Sequence, residues 1–209
     1  NNKIRRVMIV GGGYDMCYED PRFRLGQNNS ADFGGASCNK AQALGNAVYI
    51  IDAETGERIW WTSNTGSNKD NANLKHSVAT RISTLDRDGD NLVDHLYFGD
   101  LGGQVFRIDL NNKKDTPAAS FGHNVIRLAN LATTDSGVAI TNGDAPRFYQ
   151  PPTITIHDEG SETFILVAIA SGDRSTPLDV APSKGRESIK PFDPLQNRPT
   201  NKVYGLIDR

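Results

Sequence analysis

The chain has 209 residues, enough for one domain with a sizeable core, and its 23 basic and 25 acidic residues leave a net charge of −2. That balance gives no electrostatic footprint for nucleic acid or an anionic membrane surface. No apolar run approaches the length of a membrane span, and two cysteines with four scattered histidines make a structural zinc site a poor fit.

The chain starts at Asn1 and stops at Arg209, just after the apolar run Val203-Tyr204-Gly205-Leu206-Ile207, with neither an initiator Met nor a signal peptide. It reads as one unit, residues 1–209, cut from a longer polypeptide whose targeting signal lies upstream.

In chain order, Val7-Met8-Ile9-Val10 predicts a buried strand, and Gly11-Gly12-Gly13 a tight turn after it. Phosphate binding at these glycines would need a helix N-terminus to follow, and Tyr14-Asp15-Met16-Cys17-Tyr18 offers none. A long insertion, residues 14–45, holds Cys17 and Cys38 with 20 residues between them. The pair is compatible with a disulfide in an exported protein and also with two free thiols in the cytosol. A strand over 46–52, the turn Ala53-Glu54-Thr55-Gly56 and a strand over 57–62 come next. Trp60 and Trp61 must point to opposite faces of that last strand, one toward the core and one toward an interface or binding surface.

Residues 78–85 are rich in β-branched side chains and predict a strand, as do 95–99, 104–110 and 124–128. Residues 152–156 precede another buried strand, Phe164-Ile165-Leu166-Val167-Ala168-Ile169-Ala170, which ends at Ser171-Gly172-Asp173. Asp173-Arg174 reads as a turn salt bridge or loop anchor. A second long insertion, residues 174–200, leads to a last strand over 201–208. Both insertions are rich in Gly, Asn, Ser and Pro, a composition that suits binding loops on a rigid scaffold and suits disorder equally. No amphipathic helix of useful length is visible.

The most informative run is Asp86-Arg87-Asp88-Gly89-Asp90-Asn91-Leu92-Val93-Asp94. Four carboxylates in nine residues repel unless a hard divalent cation sits among them, and oxygen donors suit calcium. Asp86, Asp88, Asp90 and Asp94 are the candidate side-chain ligands, with the Leu92 carbonyl as a fifth. Gly89 and Asn91 are the residue types that tolerate the left-handed backbone such a turn needs. An EF-hand loop would have Gly where Asn91 stands and a bidentate Glu where Tyr97 stands. Asp94 repairs the second defect if it binds through both oxygens. The flanks are strand-like, whereas an EF-hand joins two helices.

Aligning the strands exposes a repeat: a buried strand ending in Gly, a turn, then a strand carrying Val and an aromatic. Residues 7–13 with 46–52, 95–100 with 103–109, and 164–173 with 201–208 are its three copies. The middle copy, with 78–85 before it and 124–128 after it, makes four strands in series. Four antiparallel strands repeated in series predict an all-β fold, a partial β-propeller of about three blades with long loop insertions. The first strand is missing at the start and the last at the end, as in an arc of a larger closed ring.

Residues 85–110, from Leu85-Asp86-Arg87-Asp88-Gly89-Asp90 through Tyr97-Phe98-Gly99-Asp100-Leu101-Gly102-Gly103-Gln104-Val105-Phe106-Arg107-Ile108-Asp109-Leu110, closely resemble the C-terminal propeller of PilY/PilC-type type IV pilus proteins. Val48-Tyr49-Ile50-Ile51-Asp52-Ala53-Glu54-Thr55-Gly56 with Trp60, Arg147-Phe148-Tyr149-Gln150-Pro151-Pro152, and Ser171-Gly172-Asp173-Arg174 with Asn201-Lys202-Val203-Tyr204 agree with it in order. The resemblance implies an exported protein at the pilus tip, cell surface or outer membrane of a Gram-negative bacterium. It implies a role in pilus biogenesis, adhesion and twitching motility, with minor pilins and host or surface ligands as partners. Ca2+ is the implied ion, at Asp86, Asp88, Asp90, Leu92 and Asp94, with occupancy tied to pilus extension and retraction. No Arg-Gly-Asp motif occurs, so integrin binding has no support.

Residues 48–60 also resemble blades of quinoprotein dehydrogenases, where the motif packs an aromatic ring between sheets. A fragment of such a PQQ enzyme is the alternative, but no cofactor site is visible. His76, His95, His123 and His157 have no metal-ligand spacing, and the expectation is a protein that is not an enzyme.

Overall fold

Alternation of side chains along one central hairpin sets the architecture. The computed structural model describes residues 4–19, 23, 25–26, 38–113, 116–134, 136–140, 145–174 and 201–209. Most of the second predicted insertion, residues 175–200, and residues 27–37 of the first lie outside the described residues. The described strands are β1 (Val7–Gly11), β2 (Ala47–Asp52), β3 (Arg58–Ser63), β4 (Lys69–Asp70), β5 (Ser83–Leu85), β6 (His95–Gly99), β7 (Gln104–Leu110), β8 (Gly122–Asn130), β9 (Thr153–Glu159), β10 (Glu162–Ala170) and β11 (Val203–Asp208). They form three sheets, ordered β1-β2-β3-β4, β5-β6-β7-β8 and β11-β10-β9. Among the described residues there is no α-helix, and no helix is long and apolar enough to cross a membrane.

The second sheet is buried on both faces, which explains why β6 reads as a continuous apolar run. Period-two alternation sends Leu96, Phe98, Phe106 and Ile108 into a cluster with Val48, Ile50 and Trp60 of the first sheet. The opposite residues, Tyr97 and Val105, pack with Ile165, Val167 and Ile169 of the third. Phe98 and Phe106, partners in register, stack with centroids 5.3 Å apart. Trp60 is wholly buried and lies where a Cβ on Gly122 of β8 would stand. Trp61, on the other face, stacks on Tyr49 at 5.8 Å and carries Arg58 5.0 Å from its ring centroid. The two tryptophans therefore divide between faces as the strand period requires.

Polar groups also join the second and third sheets. Arg107 of β7 forms ion pairs with Asp109 and with Asp208 of β11, and the Tyr97 hydroxyl donates to the other oxygen of Asp208 at 2.8 Å. His95 Nδ1 lies 2.9 Å from Asp109, extending the network to the start of β6. Burial pulls the Arg107 guanidinium down, but its two carboxylate partners outweigh that and hold it above its ordinary value.

Three local expectations change. The predicted strand over 78–85 survives only as β5, because Val78 donates to Gly45 and accepts from Gly13, turning its backbone toward the first sheet. In the first sheet, the fourth strand is β4, two residues paired parallel to β3. The third sheet has three described strands. The glycine run serves close approach: Gly12 and Gly13 donate to Ala47 and Val78, and a Cβ on Gly12 would stand 2.5 Å from the Gly45 carbonyl.

Cys17 and Cys38 are joined in a disulfide. It lies in a buried cluster with Tyr18, Phe23, Leu101 and Tyr149, which packs these described residues of the first insertion against the second sheet's β6–β7 turn. Asp15, fully buried, anchors the same insertion by accepting from the Cys17 and Leu44 amides and pairing with Lys40.

Candidate metal centre

The nine-residue acidic turn joins β5 to β6, so two paired strands hold its ends. The Asp94 amide donates to the Leu85 carbonyl at 2.9 Å, closing the neck. Asn91 has φ 68° and Gly89 has φ 81°, the left-handed pair expected from the sequence. Asn91 is the described non-glycine residue with positive φ.

The carboxylates organise the loop. Asp86 Oδ1 accepts from the Gly89 amide at 2.7 Å and its Oδ2 from Asn91 at 2.9 Å. Asp88 accepts from Asp90 at 3.1 Å, and Asp90 from Leu92 at 2.7 Å. Asp94 Oδ2 accepts from Arg87 at 2.7 Å across the whole turn. The Asp88 and Asp90 bonds are Asx turns, the short-side-chain alternative to a backbone ladder, and the Asp86 and Asp94 bonds tie more distant amides of the turn.

This coiling brings one oxygen each of Asp86, Asp88 and Asp94 within 4.8 Å of one another. Two oxygens bound to one calcium at 2.3–2.6 Å span at most about 5 Å, so the three fit one ion's coordination sphere. The donors are hard oxygens, without the nitrogen or sulfur that zinc prefers. Asp90 is not in the converging group; its Oδ1 is turned to the Leu92 amide. Leu92 stands in the turn and donates its N–H to Asp90 Oδ1.

Asn112 has no counterpart in the sequence reading. Its Nδ2 donates to the Val93 carbonyl and to Asp94 Oδ1, each at 3.0 Å, and so holds the last acidic residue from outside the turn. The β6–β7 register, which pairs His95 with Asp109, is what carries Asn112 to this place. The Leu110 amide reinforces the junction by donating to the Asp94 carbonyl at 2.8 Å.

The remaining candidates have structural partners. His76 Nδ1 lies 2.8 Å from the Tyr18 hydroxyl, and His157 Nε2 lies 2.8 Å from the Thr155 hydroxyl. Asp173 is an anchor, but its partner is Arg147 at 3.6 Å rather than the adjacent Arg174. Asp100, fully buried in the β6–β7 turn, accepts from the Gly102 and Gln104 amides and from Gln104 Nε2. Burial pushes its carboxyl up to about 7, against the pull of those donors.

No family model matches the chain, and no curated protein does. Among solved structures it is similar to the crystal structure of the Pseudomonas aeruginosa PilY1 C-terminal domain, with 20% identity and a TM-score of 0.40. The match covers 63% of this chain and 28% of that one, so the chain spans well under half the length of its neighbour.

Proposed function

We propose that this chain is a calcium-binding, non-enzymatic part of a type IV pilus biogenesis or tip protein, and that its three sheets are consecutive propeller blades. The observation that carries the reading is the convergence of Asp86, Asp88 and Asp94 in a turn held at both ends by paired strands. The resemblance of residues 85–110 to PilY/PilC-type proteins supplies the biological setting. In this reading Asp90 and the Leu92 carbonyl complete the ligand set, Asp90 by exchanging its bond to the Leu92 amide for the ion. Bound calcium neutralises the repulsion inside the turn and fixes the β5–β6 junction of the central sheet.

The site would act through order rather than chemistry. Asp94 is continuous with His95, whose ring meets Asp109, and Asp109 shares Arg107 with Asp208 of the third sheet. A turn that tightens around an ion therefore pulls on the seam between two sheets. Exported location, pilus partners and a link to extension and retraction belong to the same proposal.

Calorimetric titration of the metal-stripped chain with calcium is the direct test, with saturable one-site binding expected. No heat of binding would remove the calcium part of the reading. Asp88→Asn in the full-length parent protein, read out as piliation and twitching, tests the biological part; unchanged motility would count against it. Quinone reconstitution followed by a dye-linked alcohol assay tests the quinoprotein alternative, since turnover would replace this proposal.

A further inference from the structure

A second site is built away from the acidic turn. A cavity of about 300 Å³ opens where Tyr18, Phe23 and Leu25 meet the β6–β7 turn, residues 130–133 and 139–140, and residues 145–147. It falls at the lower end of the roughly 300–1,000 Å³ range of small-molecule pockets. Leu101, Ile140 and Pro146 give it apolar wall. Every charged residue among its described lining is a cation: Lys75, Arg127 and Arg147.

The three cations are not equivalent. Arg147 is already engaged by the Tyr18 carbonyl and by Asp173. Arg127 donates Nη1 to Gln104 Oε1 at 2.9 Å, leaving the other face of its guanidinium fork directed to no described acceptor. Lys75 Nζ meets no described acceptor, while its backbone is pinned on both sides, its amide to Asn73 and its carbonyl to Ala43. Gln104 is itself locked, donating Nε2 to Asn73 and to Asp100. The Arg127 head is thus oriented by a buried amide that has no freedom to turn. His76, whose ring fills the space a Cβ on Gly102 would need, closes one side. A pocket with apolar wall and two cations holding spare donors is complementary to an anion with a hydrophobic body.

We propose that this cavity binds a carboxylate attached to a small apolar or aromatic group, with Lys75 and Arg127 as the residues that recognise the charge. A free organic acid and an acidic side chain of an extended peptide present the same chemistry. Phosphate would satisfy the cations but leave the apolar wall uncovered.

Nitrogen-15 NMR titration of the full chain tests this with four probes: benzoate, benzamide, inorganic phosphate and an acetylated, amidated Ala-Glu-Ala peptide. Benzoate is expected to shift the Leu101, Gly102, Gln104 and Ile140 amides saturably, with benzamide weaker by about tenfold, the value of one charge-assisted hydrogen bond. Lys75→Gln, whose Nζ holds nothing in place, should weaken benzoate by about tenfold at unchanged melting temperature. Arg127→Gln should do the same, and agreement between the two excludes a mere repacking around Gln104. A peptide tighter than benzoate at these amides supports an acidic side chain as the occupant; the reverse order supports a free acid. Equal binding of benzoate and benzamide, tighter phosphate than benzoate, shifts elsewhere, or no shifts would each overturn the proposal.

Discussion

Replacing Asp88 with Asn should make the metal-free protein more stable and the calcium-loaded protein less so. Asp88 uses one oxygen to accept the Asp90 amide, a bond an Asn carbonyl preserves, so the substitution removes charge and little else. With ligand oxygens within 4.8 Å, each carboxylate pair repels by about 0.9 kcal/mol in a water-like dielectric. Asp88 takes part in two of the three pairs, so Asp88→Asn relieves about 1.7 kcal/mol at low ionic strength and about 1 kcal/mol at physiological salt. For a chain of this size that is a rise of roughly 3–7 °C in melting temperature at low salt. Calcium at a hundredfold excess over Kd should stabilise the wild type by about 2.7 kcal/mol and the variant by much less. Thermal melts in EDTA and in calcium, at two salt concentrations, give all four values. Equal calcium stabilisation of both proteins would show that Asp88 is not a ligand. Equal melting in EDTA regardless of salt would show that the three carboxylates do not converge.

The seam between the second and third sheets should be sensitive to Asp208→Ala, which removes the acceptor of the Tyr97 hydroxyl and leaves Arg107 paired with Asp109 alone. A loss of about 2–3 kcal/mol in urea unfolding is expected, and a loss below about 1 kcal/mol would show that the network is solvated. Joint replacement of Cys17 and Cys38 by Ser should cost about 3 kcal/mol, from a closed loop of this length, with reductant doing the same to the wild type. Two titratable thiols in the untreated protein would refute it. The unfolded chain releases the Asp100 proton near pH 3.8 and the folded chain near 7, so the folded state holds more protons across that window. Stability from this group therefore falls as pH rises from about 4 to about 7, and above that the loss is complete. Asp15 and Asp109 have the opposite sign. Burial raises each, but Lys40 and the backbone amides outweigh it at Asp15, and His95 and Arg107 at Asp109, so both are lowered and their stabilisation disappears as pH falls below about 4. Melts of Asp100→Asn should lack the decline between pH 4 and 7 while being less stable throughout, because the new amide faces Gln104 Nε2. A variant as pH-sensitive as wild type there would contradict the assignment.

Much of the chain was legible because its signals are local. Strands β1, β2, β3, β6, β7, β10 and β11 coincide with predicted runs to within a few residues, since each is bounded by a glycine or turn residue and filled with β-branched and aromatic side chains. The positive φ at Gly89 and Asn91 followed from residue type alone. Misreadings arose where backbone groups were claimed from a distance. Residues 78–82 have strand composition, but Gly13 and Gly45 take the hydrogen bonds of Val78. Strand β4 has no apolar pattern to announce it, being two exposed polar residues placed by the turn before them.

By itself, the sequence determined the all-β character, the threefold recurrence of a Gly-ended strand and a Val-aromatic strand, and an acidic turn suited to a hard cation. Those properties reside in side-chain alternation, turn chemistry and charge spacing, which act over a few residues. Only the tertiary structure decided which carboxylates converge, that Asp90 turns to the Leu92 amide instead, and that Asn112 holds Asp94 from 18 residues away. It also decided the pairing of the cysteines and the cationic cavity beside the β6–β7 turn. The reason is physical: ion and ligand sites depend on distances between atoms that are remote in the chain. Strand register and sheet packing set those distances, and no local preference encodes them.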